Sequence, residues 1–194
     1  MKGKQIESLP TSQQLEGELN RENLRHRYRH MVRSTISILV VVAAAAVLVS
    51  TILLPVLRVY GYSMEPTLTG GDIVVSWRIG SIDRGDIIAF HYNNNILIKR
   101  VIGLPGEWID IDEAGNVTVD GVPLEEPYLI EKALGVCDIT LPYQVPEGRY
   151  FVMGDYRETS SDSRNTALGC VSEEQILGQL VFRIWPFDKL GMVS

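Results

Sequence analysis

The sequence is poor in metal-binding residues and has no excess of positive charge. Its two cysteines, Cys137 and Cys170, and its three histidines, His26, His30 and His91, are scattered and do not form a spacing typical of a metal site. The net charge of −6 argues against a nucleic-acid-binding surface over the whole protein, and a hydrophobic content of 45% excludes a disordered chain. We therefore expect no metal, no cofactor and no nucleic-acid partner.

Charge of either sign is missing from one long stretch of the chain. Residues 34–57 contain no Asp, Glu, Lys or Arg, and Arg33 and Arg58 stand at its two ends. About 20 apolar residues in a helix cross the roughly 30 Å hydrocarbon core of a bilayer. A cleavable signal peptide has an apolar region of only about 7–15 residues, and a buried core helix of this length rarely lacks every charge. The stretch therefore predicts a transmembrane helix over residues 34–57.

The charges on the two sides of this stretch differ in sign. Residues 1–33 carry seven Lys or Arg against four Glu, whereas residues 58–194 carry eleven Lys or Arg against twenty Asp or Glu. Because basic flanks stay in the cytoplasm, this asymmetry predicts a cytoplasmic basic segment over residues 1–33. It also predicts a single-pass plasma-membrane protein with an extracytoplasmic domain over residues 58–194. The lipid bilayer is then one partner, whereas the sequence indicates no oligomeric state.

Both cysteines fall within residues 58–194, where an oxidising compartment permits a disulfide bond. A disulfide between Cys137 and Cys170 is therefore one hypothesis. Two separate buried thiols agree with the sequence equally well.

The predicted extracytoplasmic domain is rich in short β-prone runs separated by turn signals such as Gly70-Gly71 and Pro105-Gly106. One segment, residues 172–177, has the capping-box spacing of Ser172 and Gln175 and predicts a helix. The fold class expected is mainly β, with antiparallel sheets packed as a sandwich or open barrel. The predicted strands are 72–77, 86–91, 96–102, 108–112, 117–120, 149–153 and 180–185.

The predicted strand 96–102 (ILIKRVI) places basic residues among aliphatic ones. Side chains alternate between the two faces of a strand, so Lys99 and Arg100 each stand amid apolar neighbours. In one interpretation this is an edge strand whose basic residues reach water along their apolar stems. In the other, burial lowers the pKa of Lys99 by about 3–5 units. The neutral amine then acts as a general base for a serine hydroxyl.

Two further segments are candidates for the rest of such a site. Residues 61–68 (GYSMEPTL) place Ser63 between a glycine and a proline, which restrict the backbone around it. Residues 154–164 (GDYRETSSDSR) form a polar run after an apolar strand, and this run either is a solvated loop or supports the lysine.

In their order along the chain, these segments resemble the motifs of bacterial type I signal peptidases, the membrane-bound Ser–Lys endopeptidases that remove signal peptides. Residues 61–68 are similar to the serine box of that family, and GDIV follows at residues 71–74. Residues 99–107 (KRVIGLPGE) resemble the lysine box almost residue for residue, and residues 154–164 resemble the Gly-Asp loop. The resemblance covers most of residues 55–190.

The resemblance implies a mainly antiparallel β catalytic domain after one N-terminal transmembrane helix. Its substrates would be secretory preproteins cut after Ala-x-Ala, without a metal or cofactor. The resemblance implies that Ser63 is the nucleophile, that Lys99 is the general base, and that the Ser160 hydroxyl orients the Lys99 amine. It also implies that Asp162 and Arg164 form a supporting pair, assisted by Asp155. The pockets for small side chains would be lined by Met64, Leu68, Val74 and Ile98.

The sequence departs from the family pattern at a few positions. Many members have a serine where this chain has Gly61, so the oxyanion is expected to rely on backbone N–H groups, including that of Ser63. The usual asparagine after Gly-Asp is Tyr156 here. Three other functions remain open at this point: another membrane-anchored Ser–Lys maturation peptidase, an inactive membrane-tethered β domain that binds exported proteins, and an envelope structural protein.

Overall fold

The computed structural model describes residues 12–78 and 80–193. The chain divides into two compact units, Met1–Val49 and Ser50–Ser194. Residues 1–11 of the predicted cytoplasmic segment lie outside the described residues.

The first element is one long helix, α1 (Ser12–Leu53), of 42 residues. At 1.5 Å per residue it is about 60 Å long, and its part Arg27–Thr51 is long and apolar enough to cross a membrane. Exposed aliphatic side chains such as Leu39 and Val41 cover this part, as expected of a helix that faces lipid.

The helix ends at Leu53, four residues before the limit predicted from the uncharged stretch. Pro55 lacks a backbone N–H and disfavours a helical conformation in the residue before it. Residues 56–58 instead form a strand. Val56 and Leu57 are apolar and uncharged like the membrane span, so the sequence did not indicate that the chain changes from helix to strand here.

The rest of the described chain is a β structure in which every strand pair is antiparallel. The predicted fold class is therefore confirmed. The strands are β1 (Val56–Arg58), β2 (Ile73–Trp77), β3 (Ile87–Tyr92), β4 (Asn95–Gly103), β5 (Trp108–Ile111), β6 (Val117–Val119), β7 (Val122–Pro123), β8 (Tyr143–Gln144), β9 (Arg149–Met153), β10 (Val171–Ser172), β11 (Ile176–Trp185) and β12 (Gly191–Met192).

The strands form two sheets. The larger has eight strands in the order β1-β2-β11-β3-β4-β9-β10, with β12 paired to β11, and the smaller has the order β7-β6-β5-β8. Strand β4 lies between β3 and β9, with Lys99 opposite Ile88 and Arg100 opposite Met153. β9 pairs only with residues 100–103, so the interpretation as an edge strand is wrong for that half of β4. In the other half Lys99 pairs with β3 but is buried, and it does not reach water as that interpretation expected.

Three apolar clusters hold the sheets together. In one of them the smaller sheet packs on β9, through Ile109 and Val119 on one side and Phe151 and Met153 on the other. Complete burial of such side chains stabilises the fold by about 1.5–3 kcal/mol each. This cluster fixes β9, which carries the polar run 154–164 at its end.

One local prediction needs correction, and the structure favours one of the two alternatives for the cysteines. Residues 172–177 are not a helix of normal length: a 3-10 turn spans only Glu173–Gln175, and β11 begins at Ile176. The Gln175 side chain does accept a hydrogen bond from the Ser172 backbone N–H at 2.9 Å. The structure also does not join Cys137 to Cys170, and both are free thiols.

Gly178 on β11 allows a close contact within the larger sheet and provides a test of this packing. An added Cβ would lie 2.7 Å from the Trp77 carbonyl oxygen, a backbone atom that moves only with its strand. We expect Gly178→Ala to lower the free energy of unfolding by about 1–3 kcal/mol. Thermal unfolding in detergent measures the loss. Gly191→Ala is the control because an added Cβ there meets nothing within 4 Å, and equal melting temperatures of the two variants would contradict the assignment.

Candidate active site

Ser63 lies in a tight turn between β1 and β2. The turn is closed by hydrogen bonds from the Glu65 N–H to the Tyr62 carbonyl at 3.0 Å and from the Leu68 N–H to the Met64 carbonyl at 2.9 Å. Gly61 begins the turn with a φ of +82°, a conformation that L side chains rarely adopt. The backbone therefore favours glycine at the position where the sequence departs from the family pattern.

A buried carboxylate anchors the far end of this turn. Asp72 accepts hydrogen bonds from the Thr69 N–H at 3.1 Å and from the Arg183 guanidinium at 2.9 Å. Burial alone would raise the pKa of Asp72, but the Arg183 and Thr69 contacts outweigh it and hold the pKa below its usual value. Arg183 also donates to the Thr67 carbonyl at 3.0 Å, so β11 supports the turn directly.

The amine of Lys99 meets the Ser63 hydroxyl. Its Nζ donates a hydrogen bond to Ser63 Oγ at 2.7 Å, and the lysine is only 4% exposed. Burial lowers the pKa of Lys99 from 10.5 to about 8; the negative charges of Asp162 and Asp155 act in the opposite direction, and Arg164 adds to the lowering. A large share of the amine is thus neutral near pH 8.

Asp162 and Arg164 form a fully buried bidentate ion pair behind the lysine. Arg164 Nε donates to Asp162 Oδ1 at 2.9 Å and Nη2 donates to Oδ2 at 2.8 Å. Burial tends to raise the pKa of Asp162, but the bonds and charge of Arg164 and the Gly154 N–H keep it below its usual value. Arg164 also donates to the Leu134 and Arg157 carbonyls at 2.6 and 2.9 Å, which fixes the loop.

Ser160 is buried beside Gly154, and its hydroxyl makes no hydrogen bond of good geometry among the described residues, although it lies near the Asp162 carboxylate and helps to lower the pKa of Asp162. The hydrogen bond to the Lys99 amine expected from the sequence is therefore not formed in this structure. A Cβ on Gly154 would lie 2.2 Å from Ser160 Oγ and 2.5 Å from the Ser63 carbonyl oxygen. Glycine at this position thus lets the polar loop lie directly against the turn that carries Ser63.

Asp155 pairs with Arg100 and not with a residue of its own loop. Arg100 Nε and Nη2 donate to the two Asp155 oxygens at 2.9 and 2.8 Å, and Nη1 donates to the Gly85 carbonyl at 2.8 Å. Thr67 Oγ1 donates to the same carboxylate at 2.5 Å. The sequence analysis did not assign Arg100 to the site. Strand alternation places Arg100 on the face of β4 opposite Lys99, but it does not reveal that Asp155 of the polar loop covers that face.

Two more buried polar residues, Glu126 and Arg157, and the half-buried Tyr128 were missed. Arg157 pairs with Glu126, and the Tyr128 hydroxyl donates to Glu126 Oε1 at 2.9 Å. The Arg100 guanidinium carbon lies 3.8 Å from the centre of the Tyr128 ring. Residues 124–134 have neither strand periodicity nor a recognisable motif, so the sequence offered no signal for this contact.

A cleft of about 700 Å³ opens beside Ser63 and Lys99. Met64 and Ile98, two of the predicted pocket residues, line it. The other two, Leu68 and Val74, have no exposed surface and pack in the apolar cluster behind Met64. They support the cleft and do not line it, which corrects the sequence prediction.

Comparison of the sequence with known proteins identifies the family of this chain. The sequence profile described as signal peptidase, peptidase S26, matches residues 32–185. The chain belongs to this family. Signal peptidase IB of Staphylococcus aureus (strain COL) is 37% identical over 150 residues, which cover 66% of this chain and 76% of the relative. Signal peptidase I of Bacillus licheniformis is 34% identical over 166 residues, which cover 78% and 88% of the two chains.

A crystal structure of a signal peptidase I from Enterococcus faecalis V583 also matches, at 35% identity and a TM-score of 0.44, and covers 53% of this chain and 98% of that one.

The family resemblance inferred from the sequence is thus confirmed. With it are confirmed a serine endopeptidase and the removal of signal peptides from exported proteins. The apolar helix α1 agrees with a membrane-anchored signal peptidase.

Proposed function

We propose that Ser63 is the nucleophile and Lys99 the general base of this signal peptidase. The observation that carries the proposal is the 2.7 Å contact between Lys99 Nζ and Ser63 Oγ, made by a lysine that is almost completely buried. A lowering of the pKa from 10.5 to about 8 increases the neutral fraction of the amine at pH 7 roughly 300-fold. Ser–Lys pairs are a known variant of the serine nucleophile and its base.

The reaction follows from this pair. The neutral Lys99 amine takes the Ser63 proton while Ser63 Oγ attacks the scissile carbonyl carbon. The resulting ammonium then gives its proton to the leaving amine of the mature protein, and an acyl-enzyme remains on Ser63. The amine next takes a proton from a water molecule, which attacks the ester carbonyl. As the bond to Ser63 Oγ breaks, the Lys99 ammonium returns the proton to Oγ, and the signal peptide leaves as an acid.

Neighbouring groups support this chemistry. Backbone N–H groups, including that of Ser63, stabilise the oxyanion, because Gly61 has no side chain to contribute. The buried Ser160 hydroxyl, which lies near Asp162 without a hydrogen bond of good geometry among the described residues, turns toward the Lys99 amine and orients it. The Asp162–Arg164 and Arg100–Asp155 pairs hold the walls of the site.

The cleft receives the residues before the cut. Met64 and Ile98 form apolar walls, and the fully buried Leu68 behind Met64 leaves little space for a deeper pocket. Walls of this kind favour small side chains, which supports cleavage after Ala-x-Ala in secretory preproteins.

The membrane topology completes the proposal. Residues 1–33 form a cytoplasmic segment, the span falls within residues 34–57, and residues 58–194 form the extracytoplasmic catalytic domain in the plasma membrane. The positive charges before the span support this orientation. Exposed Val56, Tyr60 and Tyr62 close to Ser63 in the chain offer an apolar surface to the bilayer. A shared membrane raises the effective concentration of anchored enzyme and substrate.

The assigned dyad is tested with a purified preprotein that carries an Ala-x-Ala site, in detergent. We expect Ser63→Ala and Lys99→Ala each to lower kcat/KM by roughly 10⁴-fold or more, since each removes a group that acts in the transition state. Sequencing of the new N-terminus locates the cut after the second alanine. Lys189→Ala, which alters an exposed lysine, is the control and keeps full activity. Residual cleavage near the wild-type rate in either dyad variant would refute the assignment.

The lowered pKa of Lys99 predicts the pH dependence of the reaction. The amine acts as a base only when it is neutral, so kcat/KM rises about tenfold per pH unit below its pKa and levels off above a midpoint near pH 8. The measurement is kcat/KM from pH 6 to pH 10. A profile that is flat across this range, in an enzyme that melts at the same temperature throughout, is the contrary outcome.

The orientation is tested with epitope tags at the two chain ends. In intact spheroplasts, we expect an added protease to remove a tag at the C-terminus and to leave a tag at the N-terminus intact. Inverted membrane vesicles are the control, in which the two results exchange. Removal of the N-terminal tag from intact spheroplasts would show the opposite topology.

A further inference from the structure

A short segment, residues 126–128 (EPY), contacts both Arg100, the neighbour of Lys99 in β4, and Arg157 of the polar loop that contacts Ser63. It lies in the chain between β7 and β8 of the smaller sheet and carries two polar side chains, Glu126 and Tyr128, into the network of ion pairs. We propose that Tyr128 and Glu126 are positioning residues, which hold the Lys99 amine in its dry position against Ser63. The proposal deepens the dyad assignment and rests on it.

The first set of contacts connects Tyr128 to β4, the strand that carries Lys99. The Tyr128 ring covers the face of the Arg100 guanidinium at 3.8 Å, a favourable cation–π arrangement. The edge of the same guanidinium is occupied by Asp155 and by the Gly85 carbonyl. Arg100 is the residue after Lys99 and is itself only 2% exposed. Tyr128 therefore keeps water from the ion pair beside the lysine.

The second set of contacts connects Glu126 to the nucleophile. Glu126 pairs with Arg157, whose Nε donates to the Gly154 carbonyl at 3.1 Å. The next amide in that loop, the Tyr156 N–H, donates to the Ser63 carbonyl at 3.1 Å. The Glu126 carboxylate is thus connected to the backbone of Ser63 through one arginine and one loop.

The bond between Tyr128 and Glu126 joins the two sets of contacts. The Tyr128 hydroxyl donates to Glu126 Oε1 at 2.9 Å. Burial and the Glu126 charge raise the pKa of Tyr128 above its usual value, so the hydroxyl remains a donor throughout the working pH range. Glu126 and Arg157 are both buried, and buried charges persist only where their partners remain in place.

The arrangement matters for the reaction because burial is the main cause of the lowered pKa of Lys99. If the loop at residues 154–157 loosens, water reaches the amine and stabilises its ammonium form. A displaced Arg100 also leaves more of the Asp155 charge uncompensated, and that charge raises the pKa of Lys99. Both effects move the pKa of Lys99 upward, toward its ordinary value.

The test is Tyr128→Phe in the full-length enzyme, because this change removes one hydroxyl and keeps the ring on Arg100. We expect the midpoint of the kcat/KM profile to rise by about half a pH unit or more, which lowers kcat/KM at pH 7 about threefold. We expect KM to change little, since the segment does not line the cleft. Glu126→Gln removes the charge that holds Arg157 and shifts the midpoint in the same direction.

The matched control is Tyr150→Phe. The Tyr150 hydroxyl donates to Glu173 Oε1 at 3.3 Å, a similar tyrosine–glutamate bond outside the site. A loss of stability alone affects both variants, whereas only Tyr128→Phe shifts the midpoint. An unchanged midpoint in folded Tyr128→Phe, or an equal shift in Tyr150→Phe, overturns the proposal.

A second readout separates this proposal from the dyad assignment. The chain has only five lysines, so the ¹³Cε signal of Lys99 can be titrated by NMR and assigned by its loss in Lys99→Ala. If the wild type cleaves the preprotein and Lys99 titrates at the same pH in Tyr128→Phe, only the positioning role is refuted. If Lys99 titrates higher in Tyr128→Phe but the wild type cleaves nothing, the segment controls the amine and the proposed function fails.

Discussion

The site depends above all on the removal of water from the Lys99 amine. An ammonium in water loses its proton only near pH 10.5, and desolvation is the largest effect that lowers this value here. Strand order alone does not provide that environment, because β9 pairs with β4 only from Arg100 onward. The turn that carries Ser63 meets the Lys99 amine, and Asp155 of the polar loop holds the neighbouring Arg100. The depth of Lys99 in the larger sheet is thus a chemical requirement as well as a matter of packing.

The same requirement explains the arginines that accompany the site. The Asp155 and Asp162 charges would hold a proton on Lys99 if they acted alone. Each is paired with a buried arginine, Arg100 in one case and Arg164 in the other. Buried ion pairs add little net stability because both partners lose their hydration. Their contribution here is to position the loop while they limit the negative charge next to the amine.

Periodic patterns predicted much of this fold, and short or aperiodic segments did not. The strand Arg149–Met153 has the predicted bounds, and Ile87–Tyr92 differs from its prediction by one residue at each end. The two-residue strands have no period to detect, and the strand Val56–Arg58 reads as part of the membrane span. Ser63 and Lys99 could be found because their types and order indicate chemistry. Arg100, Glu126 and Tyr128 could not, because a side chain that works through its neighbours has no pattern of its own.

The glycines show how chain segments distant in sequence come to share one site. Gly61 has a φ of +82°, which turns the chain into the segment that carries Ser63. Gly154 leaves room for the Ser63 carbonyl and the Ser160 hydroxyl, so the polar loop closes on the turn that carries Ser63. A methyl group at residue 154 would separate these segments and open a path for water to the lysine. The absence of a side chain at this position therefore serves the same end as the buried ion pairs, because both keep the Lys99 amine dry and in contact with Ser63.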